Sequence, residues 1–276
     1  MGVEFSKIAG YTSAAGGVAL LLGYLNIIKP LRFWARATVY VLLIVVCALL
    51  GTVEGLLFSL VGKQGLVQWI TARTFYTVCR LFLGYRIEIH DPHNYLGTVR
   101  PAVFIANHQS ELDILLLGAT FPKWTSVTAK KALKWYPFLG WFMAFSKAIF
   151  VERARREDPM RAFRTASKEV VQDRQNVFMF PEGTRSRSTT PMLLPFKKGA
   201  FHFAQQAQVP IVPYVISNYS RLWNPKQRVS EPGTIRVEVL EPVSTEGLAP
   251  ADVTQLTETT RQRMLTTLER LGHAPN

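Results

Sequence analysis

Two patterns of apolar positions divide the chain. Up to about residue 61 hydrophobic residues follow one another almost without interruption. Ile8 to Ile28 carries no charge, Ala37 to Val53 carries none, and beyond Glu54 the apolar character continues to Val61. About 20 such residues in a helix cross a hydrocarbon layer roughly 30 Å thick, so residues 1–63 are predicted to be helical and to anchor the chain in a membrane. Lys29, Arg32 and Arg36 between the two runs place the connection in the cytosol, whereas Lys7, Lys63 and Arg73 argue for the reverse orientation, and the positive-inside rule does not decide between them. Residues 64–85 bring Leu66, Trp69, Ile70, Phe75, Val78 and Phe82 onto an approximately helical period with Arg73 and Arg80 among them. That composition suits a helix lying in the membrane interface and equally one packed on a neighbouring core.

From residue 86 the pattern changes to short apolar segments alternating with helical ones. Strands are predicted over Arg86–His90, Val103–Ala106, Ser126–Ala129, Ala148–Glu152, Val177–Phe180, Ile211–Ser217 and Thr234–Leu240. Helices are predicted over Leu112–Ala119, Pro137–Ser146, Pro159–Asp173, Ala200–Gln208 and Val253–Leu271. Alternation of this kind predicts the α/β class, with residues 86–276 forming one domain around a mixed sheet flanked by helices.

Charge adds a partner class. The chain carries 32 Lys and Arg against 19 Asp and Glu, a net +13. Between Thr120 and Ser230 there are nineteen basic residues and six acids, so that stretch holds an excess equal to that of the whole chain. Such a field attracts phosphorylated substrates, an anionic bilayer or nucleic acid. An apolar leader without any recognisable nucleic-acid-binding motif points away from the last. Cys47 and Cys79 lie in apolar stretches and are expected to pack rather than to pair. His90, His93, His202 and His273 lack Cys or carboxylate partners at metal-site spacing, so no metal is expected.

The chemistry concentrates in two places. In AVFIANHQSELDILLL, Ala102 to Leu117, an apolar strand ends, His108 appears among small polar residues, and a helix resumes with Asp113 five positions on. A carboxylate within reach of an imidazole fixes its tautomer and favours the imidazolium, which equips the pair to take a proton from an alcohol near neutral pH. Ser110 to Asp113 also fits a capping box, in which the acid serves only the helix start. The second place is NVFMFPEGTRS, Asn176 to Ser186. There Gly183 admits close backbone approach, Thr184 and Ser186 offer hydroxyls, and Arg185 is able to hold a phosphate through two parallel hydrogen bonds. The alternative is a surface turn whose Glu182 and Arg185 pair in solvent, contributing little.

NHQSELD and FPEGTRS, in this order, resemble the first and third signature blocks of the glycerolipid acyltransferases. AIFVER, Ala148 to Arg153, is similar to the second, with Glu152 where the family more often has Asp, and VPIVPY, Val209 to Tyr214, to the fourth. The stretches TSVTAKKALKWYPFLGWFMAFS and LPFKKGAFHFAQQAQVPIVP look closer still to the 1-acylglycerol-3-phosphate acyltransferases, the fungal ones in particular. The likeness runs from Ile87 to Leu271.

The resemblance implies one glycerolipid-acyltransferase-like domain behind a membrane anchor. It implies transfer from acyl-CoA to the sn-2 hydroxyl of lysophosphatidic acid, giving phosphatidic acid, with His108 as general base and Asp113 behind it. It implies that Arg153, Glu182, Gly183, Thr184 and Arg185 bind the phosphate-bearing acceptor, with Lys130 and Lys131 as further basic candidates. Acyl-CoA enters as co-substrate with no resident cofactor, membrane lipids are the other partners, and the expected place is the endoplasmic reticulum or, alternatively, lipid droplets. Two other functions fit the same residues: transfer to glycerol 3-phosphate or another lysophospholipid, and non-catalytic binding of anionic lipid.

Overall fold

The structure is a computed structural model that describes residues 16–130, 134–136, 138–146, 148–151, 171–172 and 174–274. Residues 16–24 are helical (α1). After them come α2 (Lys29–Leu60), α3 (Val67–Leu83), β1 (Tyr85–His90), α4 (Tyr95–Thr98), β2 (Val103–Ala106), α5 (Asp113–Thr120), β3 (Thr125–Lys130) and α6 (Leu139–Phe145). The remainder comprises β4 (Ile149–Val151), β5 (Asn176–Met179), α7 (Gly199–Ala207), β6 (Ile211–Ile216), β7 (Trp223–Asn224), β8 (Val229–Ser230), β9 (Gly233–Val239) and α8 (Val253–Leu271).

Among the described residues seven strands form one mixed sheet in the order β1-β9-β6-β2-β5-β3-β4. The five from β6 to β4 are mutually parallel, β9 runs antiparallel to β6, and β1 is parallel to β9. Parallel central strands must be covered on both faces. Accordingly every residue of β2, β5 and β6 is buried. Successive side chains divide between two cores, as the period of two requires. Phe104, Ala106, Phe178, Val212, Tyr214 and Ile216 face the core shared with α2, α3 and α5. Val103, Ile105, Val177, Met179, Ile211 and Val215 face the one beneath α7 and α8. Each fully buried large apolar side chain contributes about 1.5–3 kcal/mol, so this division over three adjacent strands holds the layers together.

The predicted strands all form, with ends that move by one or two residues. The hairpin β7–β8 and the short α4 were not foreseen. Of the predicted helix Pro159–Asp173 only residues 171–172 are described, and they are helical. Arg36, expected in a connecting loop, lies inside α2 and is buried. Its guanidinium donates to Ser230 Oγ at 3.1 Å and to the Leu83 carbonyl at 2.5 Å. The stripe expected on α3 is also rotated. The buried positions are Val67, Gln68, Thr71, Phe75, Cys79 and Leu83, while Phe82 is exposed. Polar Gln68 sits in that face because the protein satisfies both ends of its amide: Nε2 donates to the Ser146 carbonyl and Oε1 accepts from Val127 N–H.

Among the described residues one helix, Pro30–Leu60, is long and apolar enough to cross a membrane, with a mean hydropathy of 2.6. It is packed along its length against α3, α6 and β8. Close helix contacts rest on small residues: a Cβ on Gly51 would meet Phe142 and Thr71 at 2.6 Å, and one on Gly118 of α5 would meet the Ala72 carbonyl of α3 at 2.5 Å. The side of α2 turned outward carries Leu42, Val46, Leu49, Val53, Leu56 and Leu60, all exposed.

Candidate active site

The site stands at the carboxyl ends of β2 and β5, where open parallel sheets present their ligands. Asn107 holds the exit of β2, its side chain donating to the Ile216 carbonyl at 2.9 Å and accepting from Ile216 N–H at 2.8 Å. His108 follows. Its Nδ1 lies 2.7 Å from Asp113 Oδ2, and its ring stacks on Phe180 with centroids 3.9 Å apart and planes 13° off parallel. Two contacts thus fix the imidazole, one in its plane and one on its face. Among the described residues Nε2 has no hydrogen-bond partner, and the side chain is 17% exposed.

Asp113 is 1% exposed and fully engaged. Oδ2 also accepts the Gln109 amide at 2.6 Å and the Ser110 amide at 3.1 Å, while Oδ1 accepts the Tyr219 hydroxyl at 2.6 Å. The acid therefore performs both roles read from its spacing. It closes the turn ahead of α5, and it aligns the histidine.

The loop after β5 is laced to this one. Ser186 N–H donates to the His108 carbonyl at 2.9 Å, and Arg187 N–H to that of Gln109 at 3.0 Å. Gly183 has φ +67°, and a Cβ there would also press on the Lys197 side chain at 2.9 Å. Glu182 does not pair with Arg185. It is 2% exposed, with Oε1 accepting the His108 amide at 2.7 Å and Oε2 the Leu194 amide at 2.9 Å. Arg185 instead donates to Glu111 Oε1 at 2.9 Å, an oxygen it shares with Arg187 at 2.8 Å. Arg185 Nε and Glu111 Oε2 are buried and have no protein partner among the described residues. Thr184 is exposed. The structure thus gathers His108, Asp113, Glu182, Gly183, Thr184 and Arg185 at one end of two adjacent strands. Lys130 ends β3, while Arg153 and Lys131 fall outside the described residues.

Two participants had no local signal. Glu111 occupies an unremarkable position in the capping turn, and Tyr219 follows β6 in a stretch without any pattern. Only the closure of the sheet brings them to His108.

Burial pushes the Glu182 carboxyl up to about 7, against the two amides, which favour its ionised form. Below its ordinary value of 4.5 the group is protonated folded or unfolded and stability is unaffected. As pH rises from there towards 7 the unfolded chain ionises first, so stability falls across that window by at most about 3 kcal/mol. Glu182→Gln is expected to remove this slope, at the loss of the Leu194 hydrogen bond. Urea melts between pH 4.5 and 8 check it, and an unchanged slope in the variant contradicts the assignment.

The molecule has clear counterparts. A family model described as Acyltransferase matches residues 86–217. The 1-acyl-sn-glycerol-3-phosphate acyltransferase of Saccharomyces cerevisiae is 42% identical over 251 residues, which cover 91% of this chain and 82% of the yeast protein. The human 1-acyl-sn-glycerol-3-phosphate acyltransferase beta is 34% identical over 95% of this chain and 92% of its own. In fold, the crystal structure of the 1-acyl-sn-glycerophosphate acyltransferase from Thermotoga maritima superposes with a TM-score of 0.69 at 22% identity, covering 88% of this chain and 98% of that one.

Proposed function

The chain belongs to the 1-acyl-sn-glycerol-3-phosphate acyltransferase family, and from that premise we propose that it transfers an acyl group from acyl-CoA to the sn-2 hydroxyl of 1-acyl-sn-glycerol 3-phosphate, forming phosphatidic acid. The observation that carries the reading is the pairing of His108 with a buried carboxylate on a loop hydrogen-bonded to the one bearing Arg185.

In this reading Asp113 keeps the proton on Nδ1, leaving the Nε2 lone pair to accept the acceptor's hydroxyl proton. The oxygen so released attacks the thioester carbonyl, the tetrahedral intermediate expels the thiolate, and the imidazolium returns its proton to that sulfur. General-base assistance of this kind contributes about 10²–10⁴ in rate. Alignment of two long amphiphiles supplies much of the rest. The phosphate is assigned to Arg185 with Gly183 and Thr184, and with Arg153 and Lys130 from the neighbouring block and strand. Glu182, whose two oxygens are bonded to backbone, is assigned the shaping of that cradle. A phosphomonoester dianion competes with Glu111 for the arginine, whose buried Nε has no partner among the described residues.

The lipid character of both acceptor and product explains the apolar helix. Because α2 is packed on the domain along its length, the part of it free to meet acyl chains is the outward stripe from Leu42 to Leu60. Exposed Trp141 of α6, the helix that meets Gly51 and Gly55 of α2 through Phe142 and Phe145, adds a residue type that favours the membrane interface. Tyr40 of the same helix donates to the Glu111 carbonyl at 2.8 Å, so the surface and the site share a wall. The proposed location is the endoplasmic reticulum membrane.

The test is transfer of radiolabelled oleoyl-CoA by the purified protein to a panel of acceptors. Lysophosphatidic acid is expected to be preferred over glycerol 3-phosphate and lysophosphatidylcholine. Arg185→Ala is expected to raise KM for lysophosphatidic acid by about 10- to 100-fold, the loss of one charge-assisted pair, with little change for the acyl donor. Preference for an acceptor lacking the phosphomonoester defeats the assignment.

A further inference from the structure

We propose that Tyr219 is a positioning residue for acyl transfer, acting on His108 through Asp113 as the third member of a Tyr219–Asp113–His108 relay; the inference rests on the assignment of His108 as the base.

A carboxylate that orients a histidine must itself be oriented. Asp113 Oδ2 faces His108 Nδ1 at 2.7 Å and also takes the Gln109 and Ser110 amides, which leaves Oδ1 as the oxygen still to be held. Tyr219 holds it. The phenol donates to Oδ1 at 2.6 Å, within the short range characteristic of a hydroxyl on an anion. The ring is 1% exposed, so no solvent competes for that bond. The Ser110 hydroxyl, 2.9 Å from the phenol oxygen, makes the second contact and itself accepts the Leu112 amide. Burial first, and then the charge of Asp113, raise the phenol well above its ordinary range, so it keeps its proton and remains a donor at every working pH.

The backbone that carries the phenol is braced on both sides. After it, Leu222 and Trp223 N–H both donate to the Tyr219 carbonyl, closing a tight turn. Before it, Asn218 is clamped by the chain's last described segment, its amide donating to the Gly272 carbonyl at 2.9 Å and its carbonyl accepting from Ala274 N–H at 2.7 Å. The Asn218 side chain adds bonds to the Ser188 and Thr190 carbonyls. This much bracing of a single loop residue is what a fixed hydrogen-bond donor needs, because an error of an ångström at Asp113 would be passed to Nε2.

Electrostatics give the relay a signature that packing alone does not have. A donor on Oδ1 disperses the carboxylate's charge and so weakens its hold on the imidazolium. Removing that donor strengthens the carboxylate's hold on the imidazolium, and a stronger donor weakens it. The other ionisable groups against the pair are Glu182 behind the His108 amide, Glu111 with Arg185 and Arg187, and the phenols of Tyr40 and Tyr214. Among the described residues none of these side chains hydrogen-bonds to the Tyr219 hydroxyl, whose partners are Asp113 and Ser110. Glu182 also titrates near neutrality, so Glu182→Gln profiles are measured in parallel.

The experiment compares wild type, Tyr219→Phe and a chain with 2,3-difluorotyrosine at position 219, following kcat, KM and the pH dependence of kcat/KM, with His108→Ala as reference. Tyr219→Phe is expected to lower kcat roughly tenfold, with KM for the acceptor unchanged within about twofold, and to move the acid limb up by roughly half a unit. The fluorinated residue, a stronger donor of the same shape, is expected to move the limb down. A limb that stays put in both variants, whatever happens to kcat, reduces Tyr219 to packing and overturns the inference while leaving the base assignment intact. Full transfer by His108→Ala overturns the base assignment, and the relay with it.

Discussion

His108→Ala is expected to lower kcat/KM for acyl transfer about 10³-fold while the protein remains folded. The size follows from the loss of proton removal, to which general-base catalysis ordinarily contributes about 10²–10⁴. Little structure depends on the imidazole. Its bonds are one contact to Asp113 and the stack on Phe180, whereas the bonds that lace the two loops together come from the His108 backbone, which alanine keeps. Thermal melting beside the transfer assay separates the two effects. A variant that retains more than a tenth of wild-type activity at an unchanged melting temperature means that some other group removes the proton.

Asp113 is expected to show two different failures according to what replaces it. Asparagine keeps an oxygen for the amides of Gln109 and Ser110 and for the imidazole, and turns its NH₂ towards Tyr219, whose hydroxyl is then the acceptor. The turn survives, but the charge that stabilises the imidazolium is gone, and kcat is expected to fall about 10²–10⁴-fold. Alanine removes both oxygens. The two backbone N–H groups and the phenol lose an acceptor in a site closed to solvent, at about 1–3 kcal/mol for each unsatisfied donor, so a destabilisation of about 3 kcal/mol or more is expected. Chemical denaturation of both variants, with transfer rates for the asparagine form, tests the pair. Wild-type activity in Asp113→Asn makes the carboxylate a helix-start device and nothing more.

How much of this was legible beforehand depended on distance along the chain. Strands β2, β5 and β6 are buried on both faces, so each reads as an unbroken apolar run ended by polar or turn residues, and their positions came out to within a residue or two. The two-residue strands β7 and β8 are too short to show any period, and they were missed. On α3 the apolar stripe suggested one face and the protein buries another, because Gln68 and Thr71 find partners in Ser146, Val127 and Glu54 that no local pattern announces. Arg36 departs from the local pattern for the same reason: a charge inside an apolar helix becomes tolerable only when a distant serine and a carbonyl receive its donors.

The histidine and its acid were evident from the sequence because five positions across a strand-to-helix turn already bring them within reach of each other. A glycine and an arginine in the PEGTRS loop likewise suggest an anion cradle, a reading that rests on neighbouring residues alone. The chain alone could not say that Glu182 turns inward to brace His108, that Arg185 meets Glu111, or that Tyr219 steadies Asp113. Those partners stand 74, 74 and 106 positions apart. They meet because β2 lies between β5 and β6 in the sheet. Strand order is set by how several apolar faces are covered at once, which is a property of the packed whole, whereas the period of a strand or the reach of a side chain across one turn is written in a few consecutive residues.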